Sequence, residues 1–185
     1  NICVEIVRAF LGRSQWGDQI PTSLVDRSGS DYVRGLINEG LATGIVSRVT
    51  ETTYVGPAPG GSGVSVNIFY KFNENKIKNQ IGDVNYNKLI ISASQFVKDY
   101  ESLVNTIRKT SKSIQTGYSQ IPLQKSLDDF EKAVNDVNKN IETFKNNYMI
   151  GVREETTCNH FLAVIIKGQT EAGKDSNQFI NDILN

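Results

Sequence analysis

Between Tyr86 and Tyr148 the apolar residues recur at steps that alternate between three and four. The first run is Tyr86, Leu89, Ala93, Phe96, Tyr100, Leu103 and Ile107, then polar Thr110, then Ile114. The second is Leu123, Leu127, Phe130, Val134, Val137, Ile141, Phe144 and Tyr148, with no lapse. This spacing keeps one apolar stripe along an α-helix and does not suit the two-residue alternation of a strand. The linker, Thr116 to Pro122, contains Gly117, which can take the positive φ of a helix C-cap, and Pro122, which suits the first turn of a new helix. Two helices of about 45 and 40 Å joined so closely predict an antiparallel helical hairpin. The stripes carry Phe96, Tyr100, Phe130 and Phe144 and widen to Ile90, Val97 and Val104. A face this broad calls for further helices, so the expected fold is mainly α, an elongated bundle built on the hairpin at 84–149.

Ahead of the hairpin the period changes. Ile2, Cys3, Ile6, Val7, Phe10 and Leu11 share one helical face, and so do Tyr32, Val33, Leu36, Ile37 and Leu41. Ser30 is a plausible N-cap for the second of these, Gly35 and Gly40 weaken it, and Gly44 closes it. Residues 1–44 are therefore expected to hold short helices, with Trp16 as a core anchor. Residues 45–55 are rich in β-branched types, and Val64, Val66, Ile68, Tyr70 and Phe72 alternate strictly. Together they predict a β-hairpin at about 45–72, inserted before the bundle, whose apolar face should rest on the helical hairpin because a two-stranded ribbon is marginal alone. Its tip, Gly56 to Gly63, is too long and proline-rich for a tight turn. Residues 73–85 read as a polar connector. At 155–184 the run Phe161–Ile166 fits a buried strand or a helix, and a third bundle helix interrupted near Gly168 or Gly173 is preferred. A single domain spanning 1–185 accommodates all of this.

Two cysteines occur, Cys3 and Cys158. They could be buried thiols, a bond to another chain, or an internal disulfide. The disulfide is the expectation, because it would fasten the first segment to the last. It places the protein in an oxidising compartment, hence secreted. The chain begins at Asn1 rather than Met and is expected to be a processed or excised product. Its 20 basic and 20 acidic residues balance, and no Lys/Arg cluster stands out, which argues against nucleic acid as a partner. The longest apolar run spans six residues, Phe161 to Ile166, against the ~20 a transmembrane helix needs.

Candidate chemistry is sparse. Gly168-Gln-Thr-Glu-Ala-Gly-Lys-Asp175 nearly fits a phosphate-binding loop, but Asp175 stands where a hydroxyl should bind magnesium, and too little chain follows to complete a parallel sheet. His160 is the only histidine, and the separated cysteines supply no zinc cage. The carboxylate neighbours Glu154-Glu155 and Asp128-Asp129 would diverge by about 100° on a helix and make no acid/base pair. No catalytic set, metal site or cofactor is expected. The residues point instead to a secreted, non-enzymatic recognition protein that binds another protein or macromolecule through its scaffold and exposed loops. Pro57, Pro59, Gly60 and Gly61 form the candidate contact loop. Two alternatives compete. One is a carrier of a small apolar ligand inside the bundle, and the other a membrane-perturbing protein that uses its β-hairpin. Heptad stripes could also pair between copies, giving a homo-oligomer.

Overall fold

The computed structural model describes residues 1–54, 56, 63–117, 123–148, 154–170 and 178–179. In chain order the elements are α1 (Ile2–Phe10), β1 (Gln19–Pro21), α2 (Thr22–Arg27), α3 (Asp31–Thr43), β2 (Val46–Tyr54), β3 (Val64–Phe72), α4 (Glu74–Ile81), α5 (Asp83–Gly117), α6 (Leu123–Tyr148) and α7 (Glu154–Lys167). The protein is mostly helical, with one small antiparallel sheet of order β1-β3-β2. It forms two compact units. The first comprises Asn1–Ala93 and Cys158–Asn185, and the second Ser94–Thr157.

In the first unit, α1 and α3 bury most of the faces expected of them. On α1, capped by the Asn1 side chain, Cys3, Val4, Ile6, Val7, Ala9 and Phe10 are all buried. Helix α3 begins where Ser30 accepts a hydrogen bond from the Val33 amide at 3.2 Å, and ends where Gly44 takes φ 79°. In β2 and β3 the register runs from Val46↔Phe72 to Tyr54↔Val64, nine pairs in all. Phe10 meets Phe72 and Tyr86 edge-on, at centroid distances of 5.8 and 6.1 Å. Burial, and to a lesser degree the Glu74 carboxylate, push the Tyr86 phenol up to about 12, since both disfavour a phenolate there. Cys3 and Cys158 form the disulfide, with Cα atoms 6.1 Å apart.

The fold decides the open alternative at Phe161–Ile166 in favour of the preferred helix, corrects the connector and Trp16 readings, and adds two short elements. Phe161–Ile166 lies in helix α7, and all six residues are buried. A helix apolar on every side needs cover on every side, and it lies within the core of the first unit rather than on a bundle face. Residues 74–81, read as connector, form α4, because Ile77 and Ile81 lie one turn apart and both bury. The short elements β1 and α2 carry too few apolar residues to show a period, and β1 exists through its pairing with Phe69–Lys71. Trp16 is half-buried beside the tight Ser14–Gly17 bridge rather than a core anchor.

Close packing of α3 on β2 sets a test. A Cβ on Gly40 would lie 2.7 Å from Val46 Cγ2, whereas one on Gly35 would meet nothing within 4 Å. Alanine gains up to about 1 kcal/mol over glycine in a helix interior, but overpacking a core costs about 1–3 kcal/mol. Gly35→Ala is therefore expected to stabilise the protein, and Gly40→Ala to destabilise it by about 1 kcal/mol. Urea unfolding of both variants decides this; the same sign for both would refute the packing.

In the second unit, α5 from Ser94 and all of α6 carry the heptad stripes. Phe96, Val97 and Leu103 are buried, and Phe96 stacks on Tyr100 at 6.5 Å. The Asn140 amide donates to Thr106 Oγ1 at 3.3 Å, which ties α6 to α5. Farther along, Ile107, Leu127 and Phe130 are exposed. Pro122 lies outside the described residues.

Candidate functional site

The β2–β3 ribbon presents one face made of alternate residues on both strands. Cross-strand partners there are Tyr54↔Val64, Thr52↔Val66, Thr50↔Ile68 and Arg48↔Tyr70. At the base of this face Tyr70 and Val46 are buried. Toward the tip the expected cover is not there: Tyr54 is 73% exposed, Val66 58%, Val64 47% and Ile68 44%. Four large apolar side chains thus form a solvated strip along a regular strand pair. Single exposed apolar residues are ordinary, but a contiguous strip on one face is the pattern of a contact surface.

Two backbone features shape the strip. β1 pairs only with Phe69–Lys71, so among the described residues β3 has no strand beside Val64–Ile68 on its outer edge. That edge offers unpaired N–H and C=O groups, the usual template for adding a strand. Near the end of the ribbon the chain is pinched: a Cβ on Gly63 would collide with the Gly56 carbonyl oxygen. Only glycine permits this approach, which brings the strands together before the loop. The candidate loop residues Pro57, Pro59, Gly60 and Gly61 lie outside the described residues.

The opposite face carries the Val49↔Phe69 pair, with Phe69 buried, and is otherwise polar: Ser47, Glu51, Thr53, Ser65, Asn67 and Lys71. Gln19 donates to Glu51 at 2.8 Å and Lys71 pairs with Asp18 at 3.3 Å, both at exposed positions where such contacts add little stability. Toward the tip, then, the ribbon's apolar strip is turned to solvent, while both faces are buried at its base.

The other candidates fall as follows. The His160 ring lies edge-on to Phe179 at 5.8 Å, beside the disulfide helix segment. Among the described residues no group of three His, Cys, Asp or Glu side chains is placed to hold a metal ion. The phosphate-loop near-match follows helix α7, not a strand, so its required setting does not exist, and its residues 171–175 lie outside the described residues. Asp128 and Asp129 sit side by side on α6, both exposed. No described helix is long and apolar enough to cross a membrane. The strip itself could not be found from composition. Its alternation is plain in the sequence, but alternation says only that one face is apolar, not whether anything covers it.

No protein-family model, no curated protein and no solved structure matches the chain.

Proposed function

We propose that this chain is a secreted, non-enzymatic recognition protein that binds a macromolecular partner through the distal β-ribbon and its tip loop. The observation that carries the reading is the exposed strip of Tyr54, Val64, Val66 and Ile68 beside an open strand edge. Burying such a strip gains roughly 25 cal/mol per Å² of apolar surface, and the adjacent edge supplies directional hydrogen bonds. Secretion is supported by the disulfide, which persists in oxidising compartments.

The scaffold is read as an antiparallel hairpin of α5 and α6. Thr106 and Asn140 each immediately precede a stripe residue, Ile107 and Ile141. Antiparallel neighbours bring such like-placed flanking positions together, whereas parallel ones pair unlike positions. Exposed Ile107, Leu127 and Phe130 leave part of the stripe available to a second copy or another chain.

The test compares faces of the ribbon. Val64→Thr with Val66→Thr keeps the β-branched shape and removes the apolar surface; Asn67→Thr alters the polar face. Immobilised wild-type protein is expected to retain a discrete partner from its native fluid. The paired threonine variant should weaken that binding about tenfold, and Asn67→Thr should leave it unchanged. Equal binding by all three would remove the ribbon from the function.

A membrane reading draws on one further fact. Each ribbon strand is nine residues long, close to the 9–11 that a membrane-spanning strand needs. Arg48 on the apolar face opposes it. Dye release from lipid vesicles that the paired threonine variant abolishes would favour this reading over protein recognition.

A further inference from the structure

A second feature lies at the base of the same ribbon face. There α2, α3 and the sheet enclose an open cleft of about 290 Å³. Its apolar floor is Val25, Ile37 and Tyr70, all buried. Its rim carries Asp26 from α2, Arg34 from α3 and Arg48 from β2. The three charged groups come from separate elements, 8 and 14 residues apart in sequence (34 − 26 and 48 − 34), so only the fold assembles them.

The charges are not paired with one another. Among the described residues neither guanidinium is bonded to Asp26 or to any other carboxylate, although the chain has as many acidic as basic residues. Arg48 instead lies over the Tyr70 ring, 5.9 Å from its centre. A cation on an aromatic face is held in place while the N–H groups at its edge stay free to donate. Arg34 and Arg48 thus line one cleft from different elements. The surplus of one positive charge over Asp26, above an apolar floor, is the arrangement of a small-anion pocket.

The geometry points to a binding site for a small phosphate monoester, with the phosphate held by Arg34 and Arg48 and a ligand hydroxyl donating to Asp26. A monoester carries about −1.5 to −2 charge at pH 7 and three acceptor oxygens, which matches two forked cations better than a monocarboxylate does. The carboxylate of Asp26 would repel bare inorganic phosphate and reward a ligand that brings a donor. The cleft volume suits a molecule of only a few carbons and lies at the small end of ligand pockets. Ile68 belongs both to this cleft and to the distal strip, so the two features adjoin on the ribbon face, while the charged groups belong to the cleft alone.

Glycerol 3-phosphate is the probe, titrated by calorimetry and by amide chemical shifts into the oxidised full-length chain. Saturable binding is expected, with shifts confined to α2, α3 and the bases of β2 and β3. Arg34→Gln and Arg48→Gln should each weaken it about tenfold, the usual loss of one charged hydrogen-bonding partner. Arg27→Gln removes an exposed arginine of α2 outside the cleft and should change affinity less than about twofold. Asp26→Asn should tighten inorganic phosphate while loosening glycerol 3-phosphate. All four positions are exposed, so folding is retained, and an unchanged unfolding midpoint confirms it. No saturable binding up to about 20 mM, or equal loss in Arg27→Gln, overturns the assignment. So does binding to methylsuccinate that matches glycerol 3-phosphate, which would mark a general carboxylate site.

Discussion

Replacing Cys3 and Cys158 together by alanine is expected to lower the stability of the protein by about 5 kcal/mol. The two residues are 155 apart in sequence, so their bond closes nearly the whole chain into one loop. In the chain-entropy account the stabilisation grows with the logarithm of loop length, and a loop of this size sits near the upper end of the usual range, about 5 kcal/mol. Both sulfurs are buried, so the disulfide also fills core volume between α1 and α7, and the variant loses that packing as well. A domain commonly has only 5–15 kcal/mol in total. The variant should therefore unfold at much lower denaturant, and in the native protein a reductant should reproduce most of the shift. An intact mass that rises by two hydrogens on reduction checks the bond itself. A stability loss below about 1.5 kcal/mol would show that the ends are held by packing alone.

Truncating Phe161 to alanine has the next largest expected cost, about 3–5 kcal/mol. Its ring is fully buried on α7 and lies edge-on to Phe179 at 5.2 Å. The loss has two parts: the transfer of the ring out of the core, and the cavity left where neighbours cannot close in. The edge-to-face pair adds about 0.5–1.5 kcal/mol beyond area. Leu127→Ala on α6 is the contrast. Leu127 is apolar and at a heptad position, yet 53% exposed, so its truncation should stay within about 1 kcal/mol. Comparable losses in the two variants would mean that the stripe of α6 is covered by another copy at the concentration used, and a dilution series would expose that. Phe161 and Cys158 share one helical turn, so the two large effects should not add.

The ribbon and cleft tests depend on surface groups instead. Their side chains contribute little to folding, which is why binding can be removed there without unfolding the protein. The strip is also a place where local chemistry and global fold disagree, with apolar residues in water. Such disagreements are where function is expected.

Much of the fold was legible before any coordinates. A strict heptad spacing leaves the chain no choice but helix over α5 and α6, because no other repeating structure returns a side chain to one face at that interval. Alternation at Val64, Val66, Ile68, Tyr70 and Phe72 is equally binding for a strand, and a glycine-rich interval before it implies the hairpin. Ser30 and Gly44 mark the ends of α3 through chemistry confined to a few residues. With only two cysteines, the pairing had one internal solution.

The rest was decided in three dimensions. Phe161–Ile166 is apolar at every position and so carries no period; helix was chosen over strand by the cover available on all sides within the first unit. β1 is three residues long and exists because β3 had a free edge to pair with. α4 has one apolar pair and became a helix by burying it. Whether the ribbon's apolar face was covered, and whether Asp26, Arg34 and Arg48 would line one cleft, had no local signal at all. Periodicity records which residues share a face, because that follows from backbone geometry within one element. What lies against that face depends on residues far away in the chain, and only packing settles it.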